Sequence, residues 1–374
     1  MLLSSSRNGY VDFLRGISII LVLLLHFGLA YHLSDSALGN LFSKKVIVSI
    51  TRNGNYGVTM FFVISGFLIT SKSVERYKQL GNVNPLQFYL MRFARIIPTL
   101  LLVLAIIVLL SLTPLTIFKN SASKDVSMLT TILSVLTFWH NVLMAKVGYF
   151  NYCINILWSL SVEEVFYFTF PILCLLFRKE HFILPVWIAL IILGPVYRSF
   201  HTDDEIIALY GYWSCFDGIA LGCCAALFAR KYTIGGTKGK IIGILAIALV
   251  AITYFYSGIM DNVVVGVSLI ALGTAVLLVL TYKKQMPHIL STNIVTRTIC
   301  SFGKNSYELY LFHIIVLALM KTWISREQLG DYTKLLWLLL FLSVSSMLAQ
   351  LISRFYSEPL NKKLRGLYVT KTGT

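Results

Sequence analysis

Two polar side chains in the first long apolar run of the sequence could take part in chemistry. Arg15 and His26 are eleven positions apart, which on a helix returns to the same face about 16 Å further along. Arginine offers a charged planar fork to phosphate or carboxylate, whereas histidine exchanges a proton near neutral pH. This face predicts an anion anchor at one end and a proton-transfer group deep inside. A snorkelling arginine and a hydrogen-bonded packing histidine are the alternative.

A second pair of arginines, Arg92 and Arg95, precedes another apolar run. Residues three apart share a helix face, and two guanidinium forks this close favour a polyanion such as a phosphorylated cofactor. Charges that only set membrane topology would give the same pattern. The run 57–68 is rich in glycine and contains Ser65, so a ligand or a second backbone can approach closely there.

Carboxylates and a late histidine complete the set of candidates. An ionisable group inside a bilayer costs roughly 2.5–3.5 kcal/mol even on the lenient insertion scale, so each one marks a candidate site. Glu163 and Glu164 are adjacent and cannot share a helix face, and one of them could orient a histidine or act with it as a base. Tyr310 and His313 could bind a sugar hydroxyl, or could simply pack.

Composition indicates the elements that must position these groups. The chain has 374 residues, of which 57% are hydrophobic and only 13% charged, with a mean hydropathy of +0.77. A soluble domain carries about 25% charged residues, so we predict an all-α integral membrane protein. Ten apolar runs are long enough to span a bilayer: 13–31, 54–71, 93–112, 156–177, 182–198, 206–229, 240–256, 262–281, 303–320 and 335–353. The stretch 127–145 is interpreted as re-entrant or interfacial.

The basic residues predict orientation. With the N-terminus inside, 22 of the 32 Lys and Arg residues fall on the inner side, and this asymmetry predicts that both termini are cytoplasmic. Arg198 is assigned to an outer loop, and Asp217 to a hydrogen bond between helices. The net charge of +16 is explained by basic inner loops, which are attracted to anionic lipid. The sequence has no basic stripe interleaved with exposed aromatics, which is the pattern that would indicate nucleic-acid binding. The six cysteines show no metal-binding or disulfide spacing.

The sequence contains five motifs that, in their order along the chain, resemble those of the acyltransferase-3 family of membrane acyltransferases. The fourth-helix motif matches closely, with Val165 where glutamine is common in the family. Any one motif is weak, whereas five in the right order are strong. The motifs are Tyr10 to Arg15 with His26, Phe61-Phe-Val-Ile-Ser-Gly-Phe-Leu68, Arg92-Phe-Ala-Arg95, Trp158-Ser-Leu-Ser-Val-Glu-Glu-Val-Phe-Tyr167, and Ser306-Tyr-Glu-Leu-Tyr-Leu-Phe-His313.

The resemblance implies transfer of an acyl group, usually acetyl, from cytoplasmic acetyl-CoA to a sugar hydroxyl of a cell-envelope polysaccharide such as lipopolysaccharide O-antigen. It implies a single transmembrane domain over residues 1–360, followed by a basic cytoplasmic tail over 361–374, in a bacterial inner membrane. A fused SGNH domain, which many members carry, is not expected in a chain of this length. The expected partners are acetyl-CoA, an envelope glycan and membrane lipids.

The residues and the resemblance suggest a division of roles. Donor-binding residues are expected to be Arg15, Arg92, Arg95 and Ser65, and acceptor-binding residues Tyr310, His313 and Trp158. His26 is expected to act as the general base or to carry the acetyl group briefly, with Glu163 orienting it or relaying its proton. No metal is required, because a thioester is already activated. A solute transporter is the alternative function, although no inverted repeat is evident, and a non-catalytic scaffold would leave the buried histidine and glutamates unexplained.

Overall fold

The computed structural model describes residues 8–37 and 42–369, and these ranges are helical without any strand. All ten runs predicted to span are helices. The first eight helices are α1 (Gly9–Tyr31), α2 (Lys44–Arg52), α3 (Tyr56–Tyr77), α4 (Pro85–Ser111), α5 (Met128–Leu136), α6 (His140–Val147), α7 (Trp158–Phe177) and α8 (Glu180–Ser199). The remaining nine are α9 (Glu205–Tyr210), α10 (Tyr212–Lys231), α11 (Gly236–Tyr256), α12 (Val263–Thr281), α13 (His288–Thr292), α14 (Ile294–Lys304), α15 (Ser306–Trp323), α16 (Asp331–Ile352) and α17 (Glu358–Val369).

Within the described ranges, nine helical stretches are long and apolar enough to cross a membrane, which makes the chain a multi-pass membrane protein. The ninth predicted span, 303–320, corresponds to α15, which is not among these nine and carries the polar residues Glu308, His313 and Lys321. Most of α15 is nevertheless buried inside the bundle. The stretch 127–145 forms the two short helices α5 and α6, neither of which is long enough to span.

Local sequence signals explain where the site-bearing helices begin. At the start of α4, the Asn84 side chain accepts from the backbone N–H of Gln87, and Pro85 occupies the first turn. Both residues are typical of helix starts, because proline needs no hydrogen-bond partner there and asparagine satisfies a free N–H. The helix therefore begins eight residues before the predicted span at 93, and Arg92 and Arg95 lie within it.

Small residues let α3 and α10 approach backbone to backbone. A Cβ placed on Gly66 would lie 1.9 Å from the carbonyl oxygen of Ile219, and one on Gly222 would lie 2.0 Å from that of Val63. Lipid tails are as apolar as helix surfaces, so no hydrophobic driving force brings membrane helices together. They associate through close packing, which small residues allow. Gly66 thus packs against a helix, whereas its neighbour Ser65 faces a cavity.

A buried ion pair joins α8 to α10. Arg198, predicted in an outer loop, is instead fully buried, and its Nη2 lies 2.7 Å from Oδ2 of Asp217. The same guanidinium donates to Ser268 Oγ of α12 at 2.8 Å and to the carbonyl of Ser214. Arg198 belongs to α8, which ends at Ser199, and not to the loop that follows, and its side chain is buried in the bundle. The assignment of Asp217 to an interhelical hydrogen bond fits this arrangement.

Candidate active site

The main cavity of the bundle has a volume of about 400 Å³, within the range of sites for small molecules and cofactors. On α3 its lining extends from Val58 to Tyr77, a rise of about 28 Å along the helix and close to the thickness of a hydrocarbon core. The cavity is therefore long and suited to an extended ligand. Its polar lining residues are Arg15, Ser65, Lys72, Ser73, Arg76, Tyr77, Arg92, Arg95, Ser159, Glu163, Tyr167, Ser306, Tyr307, Tyr310 and Arg365.

The tertiary structure brings all three predicted donor arginines to this cavity. Arg15 comes from α1, whereas Arg92 and Arg95 come from the first half of α4. Apolar side chains such as Phe61, Phe62 and Leu160 line other parts of the same cavity. One ligand with an anionic part and an apolar part would match this lining.

Tyr167 connects three of the predicted site residues. The Arg92 guanidinium carbon lies 3.5 Å from the centre of the Tyr167 ring, which is a close cation–π contact. The Tyr167 hydroxyl is hydrogen-bonded to Ser65 Oγ and lies 3.4 Å from Glu163 Oε2. Sequence reasoning included this tyrosine in a motif but gave it no role. Its spacing of four residues from Glu163 places the two on one helix face and was the available signal.

His26 has a partner that the sequence did not indicate. His26 Nδ1 lies 2.8 Å from the carbonyl oxygen of Val22 and 3.3 Å from His313 Nε2, and the two imidazole rings meet edge to face with centroids 4.9 Å apart. Glu163, expected to orient His26 or relay its proton, makes its side-chain hydrogen bond elsewhere. Glu163 belongs to the Tyr167 group, and it interacts electrostatically with Arg92 and Arg15.

The hydrogen bonds determine the tautomer of each ring. His313 Nδ1 lies 2.9 Å from the carbonyl oxygen of Leu309, and since a carbonyl only accepts, this nitrogen carries the proton. His313 Nε2 is then an acceptor in the neutral ring. His26 Nδ1 faces the Val22 carbonyl and this acceptor, so it too carries a proton. The Nε2 of His26 consequently keeps an unprotonated lone pair, and no described residue bonds to it.

The histidine pair borders the cavity without lining it. His313 is fully buried, and its ring centre is 6.1 Å from that of Tyr310, which does line the cavity. The Tyr310 hydroxyl donates to the Ile156 carbonyl at 2.5 Å and is 2.6 Å from Ser159 Oγ. Because its proton is used by the backbone, this hydroxyl has only acceptor capacity left for a ligand.

Trp158 does not contribute to the main cavity. Its ring stacks on Tyr210 with centroids 4.2 Å apart and meets Phe62 edge to face at 6.0 Å. It is 6% exposed. In this structure Trp158 therefore packs the bundle, and the next residue, Ser159, is the one that reaches the cavity.

Comparison with known proteins identifies a family and several relatives. The acyltransferase-3 family, described as an acyltransferase domain, matches residues 8–354. The O-acetyltransferase OatA of Staphylococcus aureus strains NCTC 8325, COL and MRSA252 is in each case 26% identical over 329 residues, which cover 83% of this chain and 53% of OatA. The chain thus spans about half the length of these curated relatives.

No solved structure matches the chain. The family match includes Arg15, Arg92, Arg95, Tyr167 and the histidine pair, whereas Arg365 of the cavity lies beyond the matched residues. With all five motifs inside the matched residues, the chain belongs to the acyltransferase-3 family of membrane acyltransferases.

Proposed function

We propose that the chain is a membrane O-acetyltransferase that moves an acetyl group from cytoplasmic acetyl-CoA to a sugar hydroxyl of a cell-envelope polysaccharide in a bacterial inner membrane. The supporting relatives are O-acetyltransferases by name. Lipopolysaccharide O-antigen is one cell-envelope polysaccharide that offers such sugar hydroxyls. The proposal rests chiefly on the His26–His313 pair beside an arginine-lined cavity.

The cavity suits the donor because acetyl-CoA combines phosphates with a long, largely uncharged arm that ends in a thioester. Arg15, Arg92 and Arg95 would hold phosphate oxygens, since guanidinium forks bind them in pairs. The stack on Tyr167 fixes the plane of Arg92 and so limits the conformational freedom lost on binding. The apolar lining would then hold the arm.

His26 would supply the proton transfer. Its Nε2 lone pair takes the proton of the acceptor hydroxyl as the oxygen attacks the thioester carbonyl, the C–S bond breaks, and the thiolate of CoA receives that proton from Nε2. Alternatively, the same lone pair attacks the thioester carbonyl, the C–S bond breaks and CoA leaves as the thiolate, which gives an Nε2-acetyl-histidine; the acceptor hydroxyl then attacks the acetyl carbonyl, the C–N bond breaks, and the hydroxyl proton goes to the thiolate. In both routes the Nδ1–H stays on the ring and is held by Val22 and His313.

His313 would act as a positioning residue. Positive charge develops on the His26 ring as it accepts the proton, and the hydrogen bond from Nδ1–H to His313 Nε2 strengthens with that charge. In the Ser-His-Asp triad a carboxylate accepts the hydrogen bond from the histidine Nδ1–H, whereas here the acceptor is the neutral imidazole of His313. Glu163 would instead balance the charge of Arg92 and Arg15 at the donor end.

Labelled acetyl-CoA distinguishes the enzyme from a transporter. Purified protein in nanodiscs, incubated with [14C]acetyl-CoA and envelope glycan, should release CoA and place label on the glycan, and mass spectrometry of the glycan would give the acyl mass and the sugar. His26→Ala should abolish transfer while the protein still accumulates in the membrane. His181→Ala, at an exposed histidine outside the cavity, is the matched control. Retained transfer in His26→Ala would exclude the base and carrier roles.

A further inference from the structure

The C-terminal helix α17 is tied to the helix that carries two of the donor arginines. A π-helical turn, Ser353–Ser357, joins α16 to α17. Within it Ser357 Oγ lies 2.9 Å from Thr99 Oγ1, and Tyr356 donates to the Pro98 carbonyl at 3.2 Å. π-helical turns are rare and occur often at functional sites. The region predicted as a basic tail over 361–374 thus begins as a packed helix, and its last five residues lie outside the described ranges.

This packing brings one residue of α17 to the cavity. Arg365 lines the cavity together with Arg76 of α3, and it lies within electrostatic range of Arg95, Arg76 and Arg92. Like charges gathered at one opening repel each other. Among the described residues no carboxylate pairs with Arg365, and Glu75, next to Arg76 in the sequence, is bonded to Lys72 at 2.8 Å.

Arg76 and Arg365 lie nearer the opening of the cavity than Arg92 does. Both are exposed, whereas Arg92 is half-buried and stacks on the buried Tyr167. The charged groups are nevertheless close together, because the Arg76 guanidinium contacts Met91 Sδ, next to Arg92, and Arg365 interacts with Arg92. The cationic lining therefore continues from Arg92 inside the bundle to Arg76 and Arg365 at the rim.

CoA carries phosphate at two positions of one ribose, and this neighbouring pair matches a cationic lining that continues from the interior to the rim. Its diphosphate lies between the thioester arm and the adenosine, whereas its ribose 3′-phosphate is at the end of the molecule furthest from the thioester. Resting on the proposed acetyl-CoA function, we infer that Arg76 and Arg365 form a second subsite that binds the 3′-phosphate. The C-terminal helix then belongs to the donor site, and the enzyme distinguishes CoA from carriers that lack this phosphate.

The test measures equilibrium binding of labelled acetyl-CoA and of labelled acetyl-3′-dephospho-CoA to the purified full chain. In the wild type, removal of the 3′-phosphate should weaken binding about tenfold or more, as expected for charge-assisted hydrogen bonds. Arg365→Gln should weaken acetyl-CoA binding by a similar factor and leave binding of the dephospho donor unchanged. Arg76→Gln should likewise weaken binding of acetyl-CoA and leave binding of the dephospho donor unchanged.

Lys362→Gln is the matched control, since Lys362 is exposed on the same helix and does not line the cavity. Equal weakening of both donors by Arg365→Gln, an unchanged acetyl-CoA affinity, or the same selective loss in Lys362→Gln would each overturn the 3′-phosphate subsite while leaving the proposed acetyl-CoA function intact. A wild-type protein that binds neither donor would overturn the proposed function and the subsite together. Gel filtration of each variant would verify that it is folded.

Discussion

The His26–His313 hydrogen bond allows a quantitative prediction about a positioning residue. His313→Phe removes the acceptor Nε2 but keeps an aromatic ring in a fully buried place. His313→Gln provides an amide oxygen that can accept from His26 Nδ1–H. We expect the phenylalanine variant to lose turnover and the glutamine variant to recover part of it.

The geometry limits the size of the loss. The shorter bond of His26 Nδ1, 2.8 Å to the Val22 carbonyl, remains in either variant, so the tautomer is preserved. The bond that disappears is the longer one, 3.3 Å to His313. A hydrogen bond to a charged group contributes about 1.5–3 kcal/mol, and 1.36 kcal/mol corresponds to about tenfold in rate. Turnover of His313→Phe should therefore fall roughly 10- to 150-fold, less than the ~10⁴-fold loss on replacing the orienting aspartate of the Ser-His-Asp triad.

The assay follows transfer of label from [14C]acetyl-CoA to envelope glycan by purified variants, with kcat and KM for acetyl-CoA determined separately. Because His313 does not line the cavity, kcat should fall while the KM for acetyl-CoA stays near the wild-type value. Full kcat in His313→Phe would refute the positioning role. Equal losses in His313→Phe and His313→Gln would refute it as well, because the loss would then come from packing and not from the missing acceptor.

Two further changes test the donor site and the buried ion pair. Arg92→Lys keeps the charge but loses the planar stack on Tyr167. The KM for acetyl-CoA should therefore rise, with a smaller change in kcat. An unchanged KM would contradict the donor role. Asp217→Asn leaves the Arg198 charge buried without its counter-ion and should cost about 3–5 kcal/mol of stability, measured by thermal unfolding in detergent. Replacing both, as Arg198→Met with Asp217→Leu, should recover most of that loss, and a double variant no more stable than Asp217→Asn would count against the pair.

Two of the predicted site residues have contacts that the sequence did not indicate. The motif predicts that Glu163 acts with His26, whereas the structure bonds it to Tyr167, toward the arginines. Trp158 is predicted to bind the acceptor, whereas its ring stacks on Tyr210. A motif reports which residue types occur together along the chain, whereas the direction of each side chain depends on the neighbouring helices.

The sequence by itself determined the class of protein and the positions of its helices. Long apolar runs with few charges leave a chain no alternative to spanning helices, because backbone groups have no water to bond in a bilayer. The motifs then identified Arg15, Arg92, Arg95, Ser65 and Glu163, all of which line one cavity. These inferences depend on local spacing, which the sequence shows directly.

Only the tertiary structure decided which polar groups meet. His26 and His313 are 287 positions apart, and Arg198 bonds to Ser268 across 70 positions. Arg365 reaches the cavity because a π-helical turn is fastened to Pro98 and Thr99 of α4. Helical periodicity gives the face on which a residue lies but not the helix that packs against that face. Packing among many helices sets those contacts, and with them the second partner of His26 Nδ1.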